Sequence, residues 1–359
     1  MTNPIPDFEG LSCPLPLSHK DRIVMGHGSG GKMSYDLISK IFFPLFENPI
    51  LKIGDDAALV TLPGKNGEPF FKLAISTDSH VVMPLFFPGG DIGRLAICGT
   101  VNDLSMLGAT PLYLTVGFIL EEGLAIEILH KVVGSMRIAA AEAKIQIIAG
   151  DTKVVQNGKA DGMYINTTGV GIVPNGTNIS GTMAKPGDVV IVSGSMGDHG
   201  IAVLAARGEL KFETQVMSDI SPLNGLVAVM LDATNEIHVL RDPTRGGVAT
   251  SLNEIAIQSR VGILIYEEKL PIKPEVEAAC EMLGFDPLYV ANEGKLLAIV
   301  DKNCADNLLS VMRKHPLGVD SQIIGTVVER QEPLVMLKTA FGTTRMIDMM
   351  SGEMLPRIC

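Results

Sequence analysis

The 359-residue sequence predicts an α/β protein of two domains that ends in a flexible tail. Three observations carry this. Strand-like and helix-like apolar stretches alternate, the alternation restarts after a Pro- and Gly-rich interval, and the pattern fades before the C-terminus. Residues 1–21 hold Pro4, Pro6, Pro14 and Pro16 and read as a mobile extension, with order beginning near Arg22. Two hairpins are expected next. ALVTL and FFKLAIST flank Asn66-Gly67, while IIAGDTKVV and GMYINTTGVGIV flank Asn157-Gly158. Between them, DIGRLAICGTVNDLSMLGA and EEGLAIEILHKVVGSMRIAAAEA place apolar residues at helical steps.

The interval PNGTNISGTMAKPGD marks the boundary, giving domains over residues 22–178 and 179–340. The second domain opens with the strand VVIVSG and continues through helices in IAVLAARG, LNGLVAVMLDAT and VATSLNEIAIQSR. From Phe341 no capped helix or convincing strand is legible, so residues 341–359 read as the tail.

Composition excludes several partners. The formal charge of -11 and the lack of Lys/Arg clusters argue against nucleic acid and anionic lipid. No apolar run is long enough to span a bilayer, and the N-terminus lacks the basic start and apolar core of a signal peptide. The cysteines, 13, 98, 280, 304 and 359, are scattered without CxxC spacing, which points to the reducing cytoplasm.

Four constellations bear on chemistry. GHGSGGK, Gly26 to Lys32, has the spacing of a phosphate-binding loop, but Met33 stands where a magnesium-holding hydroxyl belongs, so another kind of phosphate cover is expected. Five aspartates (Asp55, Asp56, Asp78, Asp103 and Asp151) each stand at a strand end or helix start. Singly each reads as a cap or turn residue; together they suit magnesium, which takes one or two carboxylates plus phosphate and water. Lys153 shares a strand face with Asp151, as a charge-neutralising or proton-moving group or as half of a surface ion pair. Glu293 precedes a strand as a site or turn residue, and SGSMGDHG and DPTRGG are anion-friendly junctions. His27 and His199 sit beside glycines and read as loop residues rather than ligands. The fourth constellation is Cys359, a terminal thiol on a tether, suited to being loaded in one site and processed in another.

The ordered series HGSGGK, GDDAA, STDS, PLFFPGGDIGRLAICGTVNDLSMLGATP, GFILEEGL, AGDTKVV, SGSMGDHG, DPTRGG, NEG and terminal PRIC resembles the hydrogenase maturation factor HypE family. That family lies within the PurM (aminoimidazole ribonucleotide synthetase) superfamily, with selenophosphate synthetase and thiamine-monophosphate kinase as relatives. The resemblance covers residues 22–359. It implies a PurM-like subunit whose N-terminal domain dimerises and binds ATP with Mg2+ near the interface. It implies metal and phosphate roles for Asp55, Asp56, Asp78, Asp103 and Asp151, with Gly28, Gly30, Gly31 and Lys32 as the loop over the phosphates. The carbamoyltransferase HypF would load Cys359, the chain would dehydrate the adduct to a thiocyanate, and a HypC–HypD complex would take the cyanide. Expelling the carbonyl oxygen requires its phosphorylation, after which a base strips protons from nitrogen; Lys153, Asp103 and Glu293 are the candidates. The rival reading is a small-molecule synthetase or kinase of the same superfamily, which leaves PRIC without a role.

Overall fold

The computed structural model describes residues 22–46, 48–64, 69–208, 215–350 and 358. The expected N-terminal extension and Cys359 itself lie outside them. After the glycine-rich stretch, α1 (Lys32–Leu37) runs through a π-helical turn into α2 (Phe43–Leu45). The first α/β layer then comprises β1 (Ala58–Pro63), β2 (Pro69–His80), β3 (Phe86–Phe87), β4 (Gly90–Asp91), α3 (Ile92–Met106), β5 (Thr110–Glu121), α4 (Ile126–Ala143), β6 (Gln146–Val155) and β7 (Met163–Val173). Five of these strands form a sheet in the order β1-β2-β7-β5-β6, and β3 pairs with β4 as a small ribbon.

The β1–β2 pairing follows the expected hairpin, but the second expected hairpin does not form. β6 and β7 both pair with β5, one parallel and one antiparallel, so β5 lies between them. The reason is topological. β5, α4 and β6 make a strand–helix–strand crossover that sets β6 at the outer edge, and β7 must return on the other side of β5 to reach β2. Turn residues report a reversal of direction, not which strand becomes the neighbour.

One face of this sheet is covered by α3 and α4. Asp91 caps α3 by accepting from the N–H groups of Gly93 and Arg94 at 2.7 and 3.2 Å. Ile92, Leu95, Ile97, Val101 and Leu104 of α3 are all fully buried. Such all-round burial belongs to a helix packed between layers. Gly99 makes the close approach to β2 possible, because a Cβ there would stand 2.9 Å from the His80 ring and 3.3 Å from the Asp78 carboxylate.

Residues 174–188 hold neither helix nor strand. Beyond them come β8 (Val189–Val192), α5 (Asp198–Ala206), α6 (Asn224–Ala233), β9 (Ile237–Arg241), α7 (Gly247–Ser259), β10 (Gly262–Tyr266), α8 (Pro274–Leu283), β11 (Leu297–Val300), α9 (Ala305–Met312), β12 (Gln322–Val328), β13 (Leu334–Lys338) and β14 (Thr344–Ile347). They build a seven-stranded sheet ordered β14-β13-β10-β12-β8-β11-β9. β14 corrects the expectation that residues beyond Phe341 hold no strand. Its Ile347 is buried against the sheet, while the rest of so short an edge strand alternates too little to show in sequence. The two halves share a core: Val203, Ile220, Ala291 and Ile358 pack into the cluster built around α3 and α4.

Candidate active site

The glycine-rich stretch forms a tight helical turn, Met25–Gly28, and then a loop at the start of α1. Ser34 fastens it, accepting from the Gly30 N–H and donating to the His27 carbonyl, both at 3.0 Å. Arg245 reaches across from the second half to the Gly28 carbonyl at 3.0 Å. Gly31 has φ of 90°, and a Cβ there would meet the Met350 carbonyl at 2.5 Å, so glycine is required twice over. The Lys32 N–H donates to that same carbonyl at 2.8 Å.

This loop borders a cavity of about 610 Å³. Its wall is apolar at Tyr35, Ile38 and Ile53 and polar at Asp55, Asp56, Ser76, Arg241 and Arg245. Gly28, Gly30 and Gly31 line it as expected; Lys32 is exposed and not part of the wall. His27 lines it too, with its Nδ1 3.0 Å from the Val24 N–H.

Behind the cavity the carboxylates gather. Asp55 accepts from the Gly181 N–H at 2.8 Å. Burial pushes the Asp56 carboxyl up, and Arg241, 3.0 Å away, only partly opposes this because Asp242, Glu254 and Asp55 repel it. Asp103 accepts from the Ser76 hydroxyl at 2.6 Å, yet burial and the charges of Asp242, Asp78 and Asp56 raise it well above the usual carboxylate range. Asp242 is raised to about 6, mainly by burial. For Asp78 the balance tips the other way: burial raises it, but His80, Arg245 and the Ser79 N–H outweigh burial and hold it low.

Glu293 is the most constrained of the acids. It is buried, its Oε1 has no hydrogen-bond partner among the described residues, and its carboxyl is raised by burial and by Asp242, Asp78 and Asp219. Its backbone N–H donates to Asp219 at 3.0 Å, and Asp219 pairs with Lys295 at 3.2 Å.

Repulsion within a compact set of buried carboxyls is relieved by protonation or by cations, and Arg241 and Arg245 supply part of that positive charge here. The oxygen-only donor set suits a hard ion such as Mg2+. Among the described residues no three acids converge tightly enough to hold a metal by themselves.

Two expected site residues stand apart. Asp151 and Lys153 lie on β6, the exposed edge strand, and the chain does not bring them to the other carboxylates. They share the sheet's uncovered face with Asn166 and Ser79, aligned through Gly117. His199 corrects the loop reading: it is fully buried in α5, and the glycine before Asp198 is the helix N-cap. Arg241, Asp219 and Lys295 had no signal in the sequence, whereas Asp242 and Arg245 fall in DPTRGG, read only as an anion-friendly junction.

A glycine-covered cavity beside clustered acids, between two α/β layers, defines a class. The model of the N-terminal domain of AIR synthase related proteins matches residues 54–173, and that of the C-terminal domain matches residues 185–338. Among curated relatives, carbamoyl dehydratase HypE of Cupriavidus necator is 52% identical over 350 residues, covering 97% of this chain and 98% of that one. The Escherichia coli K12 protein of the same name is 45% identical, covering 94% and 100%. A HypE crystal structure in complex with ATP superposes with a TM-score of 0.78 at 49% identity, covering 93% and 98%, and a HypE–HypF complex with 0.82 at 50%, covering 87% and 99%. The chain belongs to the HypE family of AIR synthase related, PurM-like proteins. Among the described residues no helix is long and apolar enough to cross a membrane.

Proposed function

We propose that this chain is an ATP-dependent carbamoyl dehydratase whose substrate is its own C-terminal cysteine, Cys359. The observation that carries this is the seating of Ile358, the residue before that cysteine. Its carbonyl meets His199, whose neighbour Asp219 accepts the Glu293 N–H. Ile358 is thus linked through His199 and Asp219 to the segment that carries Glu293, which supports a tail end that reacts among the acids.

The reaction takes S–C(=O)–NH2 and ATP to S–C≡N, ADP and phosphate, with two protons leaving nitrogen in all. ATP would supply the phosphoryl group that makes the carbonyl oxygen a leaving group, and Mg2+ would offset phosphate charge. Gly28, Gly30 and Gly31 would cover the phosphates, with Arg245 next to them. Asp55, Asp56, Asp78 and Asp103, with Asp242 added, would hold the metal. Of the candidate bases, Glu293 is favoured: its buried Oε1 has no hydrogen-bond partner among the described residues, whereas Asp103 is already engaged by the Ser76 hydroxyl.

Asp151 and Lys153 fit this scheme when supplied by a second copy. The uncovered sheet face carries Tyr113, Ile119 and Ile172, each exposed by 40% or more. Pairing of two subunits there would cover these side chains and place β6 of one beside the other. HypF would load the thiol and a HypC–HypD complex would accept the cyanide, in the cytoplasm.

The test is intact mass spectrometry after incubation with HypF, carbamoyl phosphate and ATP, then with magnesium-ATP alone. One carbamoyl group gained at Cys359 and one water lost in the second step supports the reading. No adduct, with an active HypF control, returns the chain to a small-molecule ATP enzyme.

A further inference from the structure

We infer that His199 is the positioning residue for the carboxyl-terminal end of the chain, holding Ile358 by its backbone so that the following thiol is presented in the cleft. This rests on the self-substrate reading above. His199 is the second residue of α5 and is 0% exposed. Its Nε2 lies 2.8 Å from the Ile358 carbonyl oxygen, and its Nδ1 lies 2.8 Å from the Ser218 hydroxyl. A carbonyl oxygen only accepts, so Nε2 carries the ring proton. Burial pushes the ring pKa down and keeps it neutral, opposed in part by Asp219 and by the Ile358 bond itself. Nδ1 is therefore an acceptor, and the Ser218 hydroxyl donates to it. Ser218 is held in turn, its N–H donating to the Pro88 carbonyl at 2.8 Å. The Phe87 ring meets the imidazole edge to face at 5.6 Å, which fixes its plane.

The other side of the contact is equally specific. Ile358 is 5% exposed, bridges antiparallel to Val82 and packs into the cluster that holds Val82 and Phe87. Two features thus grip the chain one residue before its reactive end: an apolar seat for the side chain and a directed N–H for the carbonyl. An ordinary core histidine bonds to backbone that never leaves. This one bonds to a segment that must leave whenever the cysteine is loaded on another protein, so the bond sets how much of the time the thiol is docked. Fixing a reacting group in this way converts a search through a tether's conformations into a first-order step.

The test uses the full chain and two readouts: the rate of water loss from the carbamoylated protein, and the alkylation rate of Cys359 by iodoacetamide, resolved from the other cysteines by peptide mapping. His199→Leu is expected to slow water loss by about 10- to 100-fold, the scale of a small misplacement of a reacting group. It should hasten alkylation. His199→Gln keeps an N–H donor and should recover most of both. A double variant with Ile358→Ala should be no worse than the poorer single one, because both act on the same docking. Equal water loss and equal alkylation in His199→Leu overturn the inference, as does a Gln variant as impaired as the Leu variant. Should His199→Leu fail to fold, Ser218→Ala, which frees the tautomer, and Ile358→Ala must each hasten alkylation, and no change in either overturns it. If the unsubstituted chain never loses water, the dehydratase reading fails while the alkylation arm still decides the docking.

Discussion

The two sheets of this protein are built from similar residues but treated differently by what surrounds them. In the seven-stranded sheet, β8, β9 and β11 sit in the middle of two cores. Val190, Val192, Val239, Leu297 and Ile299 face the cluster with α7, while Ile191, Ile237, Leu240, Ala298 and Val300 face the one with α6 and α9. In the five-stranded sheet only one face is covered; along β7 buried residues alternate with Asn166, Thr168 and Ile172 on the other. The lesson is that a face left open in a chain with ample apolar residues has a use. Here it carries Asp151 and Lys153 beside exposed apolar side chains.

The strongest challenge to this contrast is complementation. Asp103→Asn in the cleft and Asp151→Ala on the open face should each lower ATP turnover by about 10²-fold or more. Mixed and allowed to exchange subunits, the two inactive proteins should regain activity, because each mixed dimer has one intact site. If none returns in an ADP-release assay, the open face does not act across subunits. Next, Ile299→Ala in the twice-covered sheet should cost about 2–5 kcal/mol in urea unfolding. A cost near zero would show that sheet to be less tightly covered than its burial indicates.

The third effect concerns pH. Asp242 keeps its proton up to about 6 in the folded chain, whereas the unfolded reference is 3.8. The folded state binds more protons between these values, so Asp242 lowers stability as pH rises through that window. Thermal unfolding without metal or nucleotide should show this decline, and Asp242→Asn should lessen it, leaving the part due to Asp56, Asp103 and Glu293. The smallest effect is Ile119→Ser on the open face, where the side chain is 43% exposed. Subunit stability should move by no more than about 0.5 kcal/mol. Self-association, followed by sedimentation, should weaken instead.

Much of the fold is legible because it depends on local pattern. VVIV and LAIV are continuous apolar runs, the mark of strands covered on both faces. The pairing of β6 was not legible, since which strand becomes a neighbour depends on where the helix between carries the chain. The aspartates read as strand-end or helix-start residues, and Asp56, Asp78 and Asp103 do gather. Asp103 lies within α3 and Asp151 within β6, however, because apolar neighbours on both sides continue each element past the acid. Arg241 and Lys295 escaped notice because an ion pair joining distant segments leaves no mark near either partner. His199 was misread for a different reason: the glycine that normally signals a loop is here the left-handed residue that opens α5.

Gly31 and Lys32 meet the Met350 carbonyl, so the glycine cover of the cavity is tied by one hydrogen bond to the segment that follows β14. Binding equilibria that share a contact are linked reciprocally. By whatever factor an occupied cavity changes the hold on that carbonyl, release of the tail changes the hold on the cavity's occupant. Under the self-substrate reading proposed above, the glycine turn would make release of the tail depend on what the cavity contains.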